Sequence, residues 1–209
     1  MKINTITVEK TARYITIGNK EKADVLIIAL HGYGHLTTFF SEYFKNLDDR
    51  YYIIIPEGLH RFYISGTTGK VGASWMTKED RLIDIGDNLI YLNKIYESEE
   101  CNKFQSKILI GFSQGASTGF RWHIKNPELF QHFISWGSAI PNDLDYNWLK
   151  KSLASINYFV LGNEDPYFNQ ADREKVLEEY INLDFKIIKY DGEHKMNTEV
   201  LKSILVSIK

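Results

Sequence analysis

Residues 107–115 read Lys107-Ile108-Leu109-Ile110-Gly111-Phe112-Ser113-Gln114-Gly115, a short apolar run ending in a serine framed by glycines. A helix-compatible stretch follows through Lys125, so G-x-S-x-G stands at a strand-to-helix turn. Glycines suit a turn so sharp that the backbones approach closely, while the serine hydroxyl projects above the sheet. Strand, turn and helix make one unit, and the chain on either side repeats the alternation.

Apolar runs occur at 25–30, 51–55, 108–110, 133–136, 158–161 and 185–190, each bounded by Gly, Pro, Asp or Asn. Runs apolar on both faces predict buried parallel strands. Between them Leu82, Ile85, Leu89, Leu92 and Tyr96 share one helical face, as do Val200, Leu201, Ile204, Leu205 and Ile208. Further helices are predicted at 36–46, 114–125, 146–153 and 169–181. The expectation is an α/β fold, a mostly parallel sheet covered by helices on both faces. Alternating stretches at 3–8 and 13–17 predict an N-terminal antiparallel hairpin. The longest stretch without periodicity, 57–80, starts where a strand ends, at the sheet edge where open α/β sheets bind ligands.

The 209 residues are expected to form a single domain over 1–209. Lys and Arg total 25 against 27 Asp and Glu, with no basic block, which speaks against nucleic acid. No apolar run reaches the roughly 20 residues of a membrane span. The first ten residues lack the features of a secretory signal, and Cys101 is the one cysteine, so the expected compartment is the cytoplasm.

A serine hydroxyl becomes a nucleophile when a histidine takes its proton and a carboxylate orients that histidine. In chain order serine, acid, histidine, the candidates are Ser113, then Asp165 in Gly162-Asn163-Glu164-Asp165-Pro166, then His194 in Asp191-Gly192-Glu193-His194. Glu164 and Asp191 are rivals for the acid. Two backbone amides must hold the oxyanion, and Gln114 and Tyr33, within His31-Gly32-Tyr33-Gly34, are placed to supply them.

These motifs, with the Ser74-Trp75 pair, resemble the α/β-hydrolase superfamily, and within it the phospholipase/carboxylesterase group that includes acyl-protein thioesterases. The resemblance covers most of the chain after the N-terminal hairpin. It implies hydrolysis of carboxylic esters or thioesters without a cofactor, with Ser113, Asp165 and His194 as triad and Tyr33 and Gln114 as oxyanion donors. Two features depart from the family pattern: Pro166, Tyr167 and Phe168 follow Asp165 directly, and 57–63 lacks the family's proline-rich look.

Trp75 reads either as a wall of the acyl pocket or as a packing residue. His35 and His60 could touch substrate, and Arg61 and Lys70 could meet an anionic group; all four also suit solvated loops. His31 reads as a structural residue pinning its own loop, and His123 and His132 as surface residues. Gly66-Thr67-Thr68-Gly69-Lys70 lacks the spacing of a phosphate loop, and no H-E-x-x-H pair suggests zinc, so neither cofactor nor metal is expected. Only about nineteen residues separate Gly137 from Ser155, too few for a lid domain. The resulting expectation is a serine hydrolase for small soluble substrates. The alternatives are a peptidase or carbohydrate deacetylase on the same fold, or a ligand-binding protein that keeps the pocket without turnover.

Overall fold

In a computed structural model, which describes residues 1–153 and 156–208, consecutive side chains of each central strand enter opposite cores. Leu26, Ile28 and Leu30 of β2 (Val25–Leu30) join one apolar cluster, while Val25, Ile27 and Ala29 join the other. The same division runs through β3 (Tyr51–Pro56), β6 (Ser106–Phe112), β7 (His132–Trp136) and β8 (Ile156–Gly162). This is why these strands read as unbroken apolar runs: neither face is left for water.

The seven-stranded sheet has the order β1-β3-β2-β6-β7-β8-β9, where β1 is Tyr14–Ile17 and β9 is Lys186–Tyr190. Every pairing is parallel except that of β1, which runs antiparallel to β3. The amino-terminal antiparallel element is therefore β1 against β3. Residues 3–8, expected as its partner, lie outside any strand, with Ile3, Ile6 and Val8 exposed.

One face is covered by α2 (Arg81–Ser98), α3 (Gln114–Lys125), α4 (Tyr146–Ser152) and α5 (Gln170–Asn182) through Leu92, Phe120, Leu149 and Tyr180. The other is covered by α1 (Thr37–Phe40) with the 3-10 turn after it, and by α6 (Thr198–Ser207). Each fully buried large side chain contributes on the order of 1.5–3 kcal/mol.

Residues 57–80 contain a second, two-stranded sheet, β4 (His60–Tyr63) paired with β5 (Val71–Ser74). His123 and His132, expected at the surface, are buried. His123 lies on the packed face of α3, and burial lowers its pKa to about 4, so it is held as a neutral ring. Among the described residues, the segment between β7 and β8 carries α4 as its helix, and no helix is long and apolar enough to cross a membrane.

Candidate active site

The loops that follow β2, β3, β6, β7, β8 and β9 all leave the carboxyl edge of the parallel sheet. Ser113 stands between β6 and α3 with φ 53° and ψ −119°. A non-glycine residue in this region stores strain, which persists only where the surroundings over-determine it. They do so here. The Ser113 amide donates to Trp136 O at 2.8 Å, and its carbonyl accepts from the amides of Ala116 and Ser117. A Cβ on Gly111 would lie 2.3 Å from Ala116 Cα, and one on Gly115 would lie 2.1 Å from Leu30 O. The helix thus presses directly on the strand that leads into His31.

Asp165 is buried in the turn after β8 and His194 sits in the turn after β9. His194 Nδ1 donates to Asp165 Oδ2 at 2.7 Å, which fixes the tautomer and leaves Nε2 as the basic nitrogen. The second carboxylate oxygen of Asp165 accepts from the Tyr167 amide at 3.0 Å. Arg173 braces the turn by donating to the carbonyls of Gly162 and Asp165. Neither rival acid makes this contact: Glu164 is exposed, and Asp191 accepts from the Asn163 side chain.

Ser113 and His194 both adjoin Phe112. The His194 ring lies 4.8 Å from the Phe112 ring, and the Phe112 side chain packs against Gly32 beside Ser113 Cβ. Among the described residues no hydrogen bond joins the Ser113 hydroxyl to His194; in free enzymes such bonds often tighten only when substrate is bound. Gly137, at φ 57°, leaves the backbone after β7 room to pass the pair, since a Cβ there would lie 3.1 Å from His194 Cε1.

The loop after β2 is clamped from several directions. Gly58 donates its amide to His31 Nε2 at 2.9 Å, so Nδ1 carries the proton and donates to Gly32 O at 2.8 Å. Burial lowers the His31 pKa to about 4, and the ring is a neutral strut, as the sequence suggested. Glu57, only 2% exposed, accepts two hydrogen bonds from Arg13, at 2.7 and 2.9 Å, and two from Thr37 at the start of α1. Burial opposes its ionisation, but Arg13 and Thr37 outweigh that and hold the carboxyl below its ordinary range. Gly34 donates to Ala73 O at 2.8 Å, seating β5 on the loop.

The Tyr33 amide belongs to this loop, and the Gln114 amide opens α3, where the helix dipole favours negative charge. The Gln114 side chain has a separate task, and nothing in the linear spacing signals it. Its oxygen accepts from the Trp75 amide at 2.9 Å and from Ser74 Oγ at 3.2 Å, and its nitrogen donates to Met76 O at 2.7 Å.

The three residues expected to line a substrate pocket are placed differently. Trp75 is fully buried, and its indole donates to His31 O at 2.8 Å, so it is packing beneath the loop and not a pocket wall. His60 Nε2 lies 3.1 Å from Asp84 of α2, and Arg61 Nε lies 3.5 Å from Glu57, just after β3; both are drawn to carboxylates outside the hairpin. A cavity of about 620 Å³ instead opens toward α4 and α5, lined in part by Ser117, Ser138, Ile140, Leu144, Tyr167 and Phe168. Tyr167, whose ring lies 4.5 Å from His194, stands out in the sequence as part of the departure after Asp165 but is not among the expected site residues. Burial pushes the Cys101 thiol up to about 12, far from an activated thiolate. Among the described residues no group of three or more His, Cys, Asp or Glu side chains is placed to hold a metal ion.

The sheet order, the strained serine turn and the loops gathered above it define an α/β-hydrolase fold. No protein-family model matches the chain, and no curated protein matches it in sequence. Solved structures do match in fold. Acyl-protein thioesterase 2 of Zea mays has a TM-score of 0.72 at 14% identity, covering 95% of this chain and 98% of that one. Esterase PE8 has a TM-score of 0.70 at 18% identity, covering 96% and 100%. A carboxylesterase of Bacillus cereus has a TM-score of 0.66 at 13% identity, covering 95% of each. At such identities the likeness is one of fold.

Proposed function

We propose that this chain is a serine esterase that cleaves carboxylic esters or thioesters of small substrates through an acyl-enzyme. The observation that carries the reading is the 2.7 Å pair of His194 and Asp165 beside a serine at positive φ. Ser113 attacks the carbonyl carbon as His194 Nε2 takes its proton. Asp165 stabilises the resulting imidazolium, and the amides of Tyr33 and Gln114 receive the oxyanion. His194 then protonates the leaving oxygen or sulfur, and water, activated by the same histidine, releases the acid and restores Ser113. The naming of the fold relatives as esterases, carboxylesterases and a thioesterase supports ester over peptide bonds. We place the enzyme in the cytoplasm, where a lone buried cysteine stays reduced.

The test is reaction with a fluorophosphonate, read by intact mass on the wild type and on Ser113→Ala. One adduct on the wild type and none on the variant is expected. A folded wild type that takes no adduct would refute an activated serine and leave the ligand-binding alternative standing.

A further inference from the structure

The ring of Tyr33 remains 59% exposed although its own amide belongs to the candidate oxyanion loop. It lies against Phe62 of β4, with centroids 5.0 Å apart and the rings tilted by 30°. Phe62 is held firmly there. Its partner across the hairpin is Gly72, where a Cβ would lie 2.6 Å from Gly34 O, so the hairpin rests on the loop without an intervening side chain. The two rings therefore share one aromatic surface, open to solvent at Tyr33 and carried by the loop that holds the Tyr33 amide.

We infer that Tyr33 and Phe62 form a subsite for a planar aromatic group on the acyl half of the substrate, which makes esters of arylalkanoic acids the favoured class. The inference rests on the esterase reading above. The side of the site follows from topology. In the order β3-β2-β6-β7-β8-β9, Ser113 leaves the middle strand β6, the hairpin and Tyr33 lie toward β3 and β2, and His194 lies toward β9. With the leaving group facing His194, which protonates it, the acyl group is assigned to the opposite side, toward Tyr33. The preference for a flat ring follows from the surface. Aromatic rings gain most from offset or edge contacts with centroids 4.5–7 Å apart, and a tilted, half-open pair offers both. Arg61, next to Phe62 in β4, is drawn to Glu57 and puts no charge on this ledge.

The experiment compares butyl phenylacetate with butyl cyclohexylacetate, two esters of one alcohol whose acyl groups differ in flatness. Wild type is expected to favour phenylacetate in kcat/KM by about tenfold, the scale of one good ring contact. Phe62→Leu should cut that preference to about twofold. Tyr33→Leu should cut the same ratio, which does not depend on how much of the variant is folded. Equal rates on the two esters in wild type, or a ratio that neither substitution moves, would overturn the inference. If the substitutions alter only the pair benzyl acetate and cyclohexylmethyl acetate, the ring binds on the alcohol side and the acyl assignment is wrong. Fluorophosphonate labelling separates the layers: a labelled wild type without ring preference defeats this subsite alone, whereas an unlabelled one defeats the esterase reading beneath it.

Discussion

The side-chain oxygen of Gln114 lies 2.9 Å from the amide nitrogen of Trp75, so the residue after the candidate nucleophile also fastens the end of the hairpin sheet. Gln114→Ala keeps the backbone amide but strands the Trp75 amide. It should cost about 1–3 kcal/mol of stability, the penalty for an unsatisfied buried group, and lower kcat through a loosened loop. Urea titration beside ester kinetics checks both, and an unchanged midpoint would show the bonds to be dispensable.

Asp165→Asn should leave the fold intact and reduce kcat by about 10⁴-fold, because the amide favours the wrong tautomer of His194. Glu164→Gln and Asp191→Asn should have little effect. A comparable loss in either of those, with Asp165→Asn active, would move the acid role elsewhere.

Glu57→Ala leaves the Thr37 donors without their buried acceptor and the half-exposed Arg13 without its partner, and is expected to destabilise by about 1–3 kcal/mol. Because the folded carboxyl ionises below its ordinary range, its contribution is present above the unfolded pKa and fades as pH falls through the folded one. Chemical denaturation of wild type and Glu57→Ala between pH 7 and pH 3 should give curves that converge toward the acid end.

His31 and His123 give a second, higher pH window. Both have pKa values lowered to about 4 by burial, against about 6.5 when unfolded. Above that value neither state binds the proton and their contribution is whole. As pH falls from about 6.5 to about 4 the unfolded chain takes protons that the native one refuses. Stability should then drop by up to about 1.4 kcal/mol per pH unit for each ring. Denaturation midpoints at pH 7, 5.5 and 4.5 test this; a flat series would mean that both rings can protonate in place.

Much of this was legible in the chain. Strands β2, β3 and β6 to β8 could be read because burial on both faces writes a continuous apolar run, and the loop positions of the candidates Ser113, Asp165 and His194 because each loop follows such a run. The hairpin of β4 and β5 escaped because β4 is partly exposed, β5 is built largely of small residues, and the connection carries Gly66 and Gly69, both at positive φ. Residues 3–8 misled in the opposite way: alternation shows that a segment suits a strand, not that a partner strand exists. Trp75, His60 and Arg61 were misplaced because the contacts that claim them, with His31, Asp84 and Glu57, come from other parts of the chain. Histidine is ambiguous by nature, so composition gave no warning that His123 and His132 are interior.

The contact of Gly115 with the carbonyl of Leu30 bears on how the molecule melts. The serine turn and the start of the candidate oxyanion loop cannot separate without parting β6 from β2 at the middle of the sheet. Their amides should thus exchange hydrogen only through global opening, late and together, while the hairpin tip exchanges early. During heating, reactivity toward fluorophosphonate should disappear in the same transition as the sheet itself, with no earlier phase in which the protein is folded but inert.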